Sequence, residues 1–267
     1  MRILVCVKEV PDTEEVKIDP IKNTIIRSGV PKILNPYDAY ALEKALEIKD
    51  EIKDTKIYVI SMGPKQVDEM LRSCLATGAD KAYLLTDRKF GGSDTLATSY
   101  ILSEAIKYIQ EKETKFDLIF CGKQAIDGET AQVGPEIASK LDLPQVTYAL
   151  DIKLMGDKAH VTKEIDEGNL IIETDLPALI TFTKTKDLRF PTMKNKMKSL
   201  KEEIEVLSLK EIININKDII GLDGSPTRVS RMYAPKKQKE SIIFNMQNDK
   251  DAINKLVNLL KAENKIK

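Results

Sequence analysis

Tryptophan is absent from this chain of 267 residues, histidine occurs once and cysteine three times. With His160 alone, and with nothing resembling a nucleophile elbow or an HExxH helix, side-chain acid–base or nucleophilic catalysis has little to work with. Cys6, Cys74 and Cys121 show no CxxC or other metal spacing, so no metal site is expected, and their odd number argues against a disulfide framework and for a reducing cytoplasm. An excess of charge is missing as well. Lys plus Arg and Asp plus Glu number 42 each, which leaves no global field to attract nucleic acid or an anionic membrane. Apolar runs of spanning length are missing too, and the one at the N-terminus stops at Lys8 and Glu9, too soon for a signal peptide. Any redox chemistry must therefore be carried by a bound cofactor.

What is present is a regular alternation. Ile3 to Val7 reads as a strand, and a hairpin of Val16 to Ile18 against Thr24 to Arg27 is expected after it. Asn35 then offers an N-cap and Pro36 a first helical residue for a helix with Ala39, Leu42, Ala45, Leu46 and Ile48 on its apolar face. Ile57 to Ser61 is the next strand, followed by a Met62-Gly63-Pro64 turn and a helix that Gly78 closes. Lys81 to Leu85 is a third strand, and Ser93 or Asp94 caps the long helix that follows. A fourth strand, Phe116 to Cys121, and a helix from Thr130 complete four strand–helix repeats, the pattern of a parallel sheet with helices on both faces. Ligands in such sheets bind at the carboxyl ends of the strands, here Cys6 to Glu9, Ser61 to Pro64, Asp87 to Asp94 and Gly122 to Gly128.

After Pro144 the period changes to two, predicting a meander of Val146 to Met155, Lys158 to Ile165 and Leu170 to Thr174, with a buried strand at Ala178 to Thr183. His160 falls in the middle of this meander, where a surface strand position is expected. Lys184 to Lys201 is basic, and Ile204 to Lys267 has weak periodicity until an amphipathic helix at Asp249 to Lys261. The fold class expected is α/β: a mostly parallel twisted sheet covered on both faces, plus an antiparallel meander and a C-terminal extension. Residues 1–200 are assigned to the ligand-binding domain and 201–267 to an arm laid on a partner.

The stretch Asp117 to Pro135, DLIFCGKQAIDGETAQVGP, carries the densest signal. A buried-strand run breaks into a loop with Gly122, Gly128 and Gly134 and then opens a helix whose first amides suit a phosphate. Asp127, Glu129 and Thr130 offer oxygens to cap that helix. The spacing is neither GxGxxG nor a Walker A loop, so the pattern alone leaves open an ordinary strand-to-helix turn.

GKQAIDGETAQVGPEIA resembles the signature segment of the beta subunit of electron-transfer flavoproteins. The similarity extends through RILVCVKEVPD, LNPYDAYALEKAL, VISMGP, LRSCLATGADKAYLL, LPALIT and LRFPTMKNKMK, and fades after about Ser208. It implies a heterodimer with an alpha subunit that carries a mobile FAD domain and exchanges electrons with a flavin-dependent dehydrogenase. Within this family the beta subunit binds AMP or a second FAD, the latter in electron-bifurcating members that oxidise NADH. SMGP at Ser61 to Pro64, GGSDTLAT at Gly91 to Thr98 and DGETAQVGPE at Asp127 to Glu136 resemble the bifurcating type.

Carried over residue by residue, the resemblance implies that the adenosine part meets Cys6, Asn35, Pro36, Tyr37, Asp38 and Met62. The phosphates meet Gly122, Lys123, Gln124, Ala125, Ile126, Asp127, Gly128, Glu129, Thr130, Ala131, Gln132 and Val133, and the flavin ring meets Gly63, Asp94, Thr95 and Thr98. RFPTMKNKMK matches the family's docking loop, with Arg189, Phe190, Met193, Lys194 and Met197 expected at the dehydrogenase. The competing reading makes Met193 and Met197 the buried face of a short helix. An AMP-binding subunit and a stand-alone nucleotide-sensing module are the alternative functions.

Overall fold

The computed structural model describes residues 1–12, 31–113, 115–230, 242–244, 251–263 and 265. Among these, a nine-stranded sheet forms the centre of a larger unit that runs to Ser230, while residues from 242 onward belong to a smaller one. The chain order is β1 (Arg2–Cys6), β2 (Glu9–Pro11), β3 (Lys32–Leu34), α1 (Pro36–Glu51), β4 (Lys56–Met62), α2 (Asp68–Thr77), β5 (Lys81–Leu85), α3 (Thr95–Lys112), β6 (Leu118–Gly122) and α4 (Val133–Leu141). Next come β7 (Gln145–Met155), β8 (Lys158–Ile165), β9 (Gly168–Asp175), β10 (Ala178–Phe182), α5 (Met193–Ser199), β11 (Ile204–Leu207) and, in the smaller unit, α6 (Ala252–Ala262).

The sheet order is β11-β5-β4-β1-β6-β10-β7-β8-β9, with seven parallel strands from β11 to β7 and antiparallel pairings only at β8 and β9. The chain winds outward from β1 through β4 to β5, then crosses back to place β6 on the other side of β1. Because α1 and α4 leave these neighbouring strands on opposite faces, a crevice opens between their carboxyl ends. A small ribbon of β2 and β3 leads into α1. The hairpin expected at 16–27 lies outside the described residues.

Strand alternation divides the core in two. Ile3 and Val5, Ile57 and Val59, Leu118 and Phe120 point to one face, against Leu42, Ala45 and Leu46 of α1 and Leu71 and Cys74 of α2. Leu4, Tyr58, Tyr83 and Ile119 point to the other, against Ile101, Ala105 and Ile106 of α3 and Ile137 and Ala138 of α4. Pro36 occupies the first turn of α1, Gly78 ends α2 with φ 142°, and Asp94 caps α3 by accepting from the Ala97 amide, all as the sequence predicts.

Three expectations change. The domain does not end at residue 200, because β11 adds to the sheet beside β5 and buries Ile204 and Leu207. The strand is only four residues long, too short for its alternation to stand out, and Glu205 is held by Lys81 and Lys112. Beyond it, Ile212, Ile215 and Ile220 enter the core and residues 221–227 bind the 91–95 loop. The helix after β6 starts at Val133, three residues later than expected, because Glu129 and Ala131 adopt left-handed backbone with φ 53° and 54°. The amphipathic C-terminal helix is present as α6 but begins at Ala252.

Helix α4 lies so close to the sheet that a Cβ on Gly134 would stand 2.6 Å from Cγ2 of Thr181. Gly134→Ala should therefore lower the unfolding free energy by ~1–3 kcal/mol through overpacking. Thr181→Ser in the same chain removes that methyl, keeps the hydroxyl that accepts from the Tyr148 amide at 3.2 Å, and should restore most of the loss in urea denaturation.

Candidate functional site

The carboxyl ends of β1, β4, β5 and β6 surround a cleft of about 1000 Å³. All four loops named from topology reach it: Cys6 to Lys8, Met62 to Lys65, Thr86 to Thr95, and Cys121 to Ala125 with Gly128 to Gly134. Cys6, Asp38, Met62, Gly63, Asp94, Thr95 and Thr98 line it, as do Gly122, Lys123, Gln124, Ala125, Gly128, Glu129, Thr130, Ala131, Gln132 and Val133. Asn35, Pro36, Tyr37, Ile126 and Asp127 are outside the lining set.

Their positions have physical reasons. Asn35 is fully buried at the start of α1 but does not cap it with its side chain. Its Nδ2 instead donates to the Gln124 carbonyl at 2.8 Å and its Oδ1 accepts from the Ile126 amide at 3.2 Å, so Asn35 shapes the loop after β6 from behind. Asp127 does not cap α4 either. It takes the ammonium of Lys8 at 2.6 Å, tying that loop to the end of β1. No side chain caps the start of α4, where Gln132 is the N-cap residue, and the first amides of a helix lack internal partners. The loop before it turns through left-handed backbone at Glu129 and Ala131, and the Glu129 amide is taken by the Ala125 carbonyl at 2.8 Å.

At the base of the cleft Asp38 joins the two central strands. Its Oδ2 accepts from the Lys8 amide at 2.8 Å and its Oδ1 from the Gly122 amide at 3.1 Å. A Cβ at residue 122 would stand 2.3 Å from that Oδ1 and 2.7 Å from the Asp38 amide, so only glycine fits. Burial pushes the Asp38 carboxyl up to about 7, although hydrogen bonds from Asn35 and from the Lys8 and Gly122 amides, together with the Lys8 charge, pull the other way. Burial also raises Asp94, but the Ala97 amide and the hydroxyl and amide of Thr227 outweigh it and hold Asp94 below the usual carboxylate range.

Across the cleft mouth, the Thr95 hydroxyl lies 3.1 Å from Gln132 Oε1 and 3.3 Å from Glu136 Oε1, linking the starts of α3 and α4. Contact with Cys6, then burial, pushes the Cys121 thiol well above its ordinary value, so Cys121 is not set up as a nucleophile. Residue-by-residue reasoning missed Lys8, Lys65, Arg88, Phe90 and Ser93 in the lining, though all lie in or beside the strand-end loops that topology pointed to. His160 is a surface residue of β8 beside Glu173, 3.0 Å away, and among the described residues no cluster of three metal-ligating side chains occurs. Nor is any described helix long and apolar enough to cross a membrane.

The basic segment from Arg189 to Lys198 divides in two. Arg189 is committed to α1, its guanidinium bonding Glu43 at 2.7 Å and Asp50 at 2.7 Å. Phe190, Met193 and Met197 are 94%, 74% and 62% exposed, which excludes the buried-helix reading of the two methionines.

These features define a doubly wound α/β protein with a large cleft at its topological switch point. The chain belongs to the electron transfer flavoprotein family, whose domain model, described as "Electron transfer flavoprotein domain", matches residues 22–212. It is 52% identical over 254 residues to the electron transfer flavoprotein subunit beta of Megasphaera elsdenii, covering 94% of each chain. It is 51% identical over 236 residues to the caffeyl-CoA reductase-Etf complex subunit CarD of Acetobacterium woodii, covering 88% of each. With the acryloyl-CoA reductase electron transfer subunit gamma of Anaerotignum propionicum it shares 42% identity over 266 residues, 97% of this chain and 98% of that one.

Because the folded-state value of Asp38 is raised, its contribution to stability is fully present below the unfolded value of 3.8 and is lost as pH rises through about 7. The difference in unfolding free energy between the native chain and Asp38→Asn should therefore grow in favour of the native chain on going from pH 7 to pH 5. Urea titrations at each pH should give a slope approaching ~1.4 kcal/mol per pH unit.

Proposed function

We propose that this chain is the beta subunit of a heterodimeric electron transfer flavoprotein whose cleft binds FAD. In this reading it takes hydride from NADH and passes electrons, by flavin-based bifurcation, through the FAD of an alpha subunit to a flavin-dependent dehydrogenase. The observation that carries it is the extent of the cleft. At about 1000 Å³ it is at the top of the ~300–1,000 Å³ range of small-molecule sites and runs from the 122–133 loop to the start of α3. A mononucleotide such as AMP would fill only part of it.

The lining residues fit a dinucleotide. The amides around Thr130 to Val133 and the dipole of α4 would hold the pyrophosphate, with Lys123 adding positive charge. A Cβ on Gly128 meets no protein atom within 4 Å, so the space it borders is free for a ligand. Gly63, Gly91 and Gly92 line the far end of the cleft together with Thr95 and Thr98. Bound there, FAD would accept hydride and release electrons singly. Asp38 and Asn35 would fix the phosphate loop, and the Thr95–Gln132–Glu136 contacts would set the spacing between α3 and α4. Two relatives whose names contain CoA reductases support a dehydrogenase-type partner. The smaller unit, with Ile253 and Leu256 of α6 exposed, is read as the arm that packs on the alpha subunit.

Two flavins per heterodimer should be counted after denaturation and chromatography, and NADH should reduce the complex under anaerobic conditions. One FAD with one AMP, or a two-flavin complex that NADH cannot reduce, would overturn the reading. Gly128→Val should lose one of the two flavins with little change in melting temperature, since its side chain meets the ligand space and no protein atom.

The exposed Met193 is the proposed anchor for the dehydrogenase, and the lysines around it steer an acidic partner. Met193→Ala should slow electron transfer at limiting dehydrogenase by roughly 5–10-fold while melting temperature and NADH reduction stay the same. Unimpaired transfer would remove Met193 from the interface.

A further inference from the structure

The segment that carries the exposed methionines is held from its two ends. Of residues 190–198 all are exposed except the half-buried Asn195. Helix α5 within them is seven residues long, and a helix that short is marginal in water on its own. Before it stands Arg189, bonded to Glu43 and Asp50 of α1, and Thr192 caps its start by accepting from the Asn195 amide at 3.2 Å. Behind it stands Arg72, a residue of α2. The Arg72 Nε donates to Asp68 Oδ2 at 2.7 Å, one turn earlier on the same helix. Its Nη1 donates to the carbonyls of Ser199 at 3.0 Å and Glu202 at 3.1 Å.

Ser199 is the last residue of α5, and the carbonyls that end a helix have no partner within it. A cation placed there satisfies them and sits at the negative end of the helix dipole. Arg72 does this in a fixed geometry, because Asp68 takes one edge of the planar guanidinium and leaves Nη1 to both carbonyls. The link is not part of the core. The Arg72 side chain is 32% exposed, whereas Met70, Leu71 and Cys74 supply the buried face of α2. Removing the guanidinium therefore loosens α5 and leaves α2 and the sheet in place.

We propose that Arg72 is a positioning residue for the dehydrogenase, acting through α5 to keep Met193 and Met197 presented before the partner arrives. This rests on the reading that Met193 anchors that partner. A segment already held in its bound arrangement loses less freedom on binding, so Arg72 raises affinity without a contact of its own. It stands outside the cleft lining, so the flavin and NADH steps run without it.

The probe is a flavin-dependent acyl-CoA dehydrogenase that the native FAD-loaded heterodimer reduces. Arg72→Met should raise the dehydrogenase concentration for half-maximal transfer about fivefold, with the rate at saturation, flavin content, NADH reduction and melting temperature unchanged. Arg72→Lys, whose single nitrogen serves one carbonyl at a time, should fall between the two. Amide exchange in the free heterodimer should quicken in Arg72→Met across residues 193–202 and not in the sheet. In a Met193→Ala background the same substitution should shift the half-maximal concentration by less than about twofold, because the group it positions is gone. A lower rate at saturation, unaltered exchange in α5, or the loss repeated in full beside Met193→Ala would each overturn the positioning role. If Met193→Ala weakens docking and Arg72→Met does not, docking at Met193 stands and Arg72 has no part in it. If Met193→Ala leaves transfer unimpaired, the docking reading falls and the positioning role with it.

Discussion

The carboxylate of Asp38 is the point on which the site depends. It enters from the first turn of α1 and accepts one amide from the end of β1 and one from the end of β6, the two strands between which the winding of the sheet reverses. Neighbouring parallel strands diverge once their ladder ends, so something must hold them where the loops begin. A buried carboxylate does this only if its charge is tolerated, and two amides, Asn35 and the Lys8 charge supply that tolerance incompletely. The glycine at 122 follows from the same contact, because the oxygen occupies the space of its side chain. Asn35 extends the arrangement by one turn and holds the Gln124 carbonyl and Ile126 amide, so a four-residue segment at the start of one helix fixes the opening of a loop some ninety residues away.

Much of this architecture is legible in the sequence. Parallel strands buried on both faces read as short apolar runs, and Ile3 to Val5, Ile57 to Ile60 and Ala82 to Leu85 stand out because no polar residue interrupts them. Pro36, Gly78 and Asp94 mark helix ends for reasons of backbone geometry that hold in any fold. Four strand ends at one edge of such a sheet then locate the cleft without any motif. What escapes is set by distant partners. Nothing local tells Asn35 to face Gln124 instead of capping its own helix, or Asp127 to meet Lys8. Glu129 and Ala131 carry no glycine to announce their left-handed backbone, so the late start of α4 is invisible. Tyr148, with φ 60° where β7 shifts register, hides its bulge in the same way, inside a run that alternates as a strand should.

Among the described residues no histidine lines the cleft. Its cysteines are buried, the carboxylates of Asp38 and Asp94 are tied to amides, and Thr95 and Thr98 sit at a helix start. This agrees with a composition that offers one histidine, itself on the far surface of the meander. Helix α5 is organised on the same economy of means: Arg189 is consumed in anchoring its base to α1, which leaves Phe190, Met193 and Met197 beyond it to face outward.

The clasp at residues 221–227 has a consequence for how such a chain can vary. Ser225 accepts from the Asp94 amide at 2.8 Å and donates to the Gly221 carbonyl at 2.6 Å, while the hydroxyl of Thr227 reaches the Asp94 carboxylate at 2.8 Å. The wall of the cleft at 91–95 is thus completed by residues more than a hundred and twenty positions later, beyond an edge strand that the sheet also needs. A gene that lost everything after residue 200 would encode a sheet missing its last parallel strand and a cleft missing the backing of one side. Shortening the chain from its C-terminal side therefore begins to strip the cleft wall once it passes Thr227.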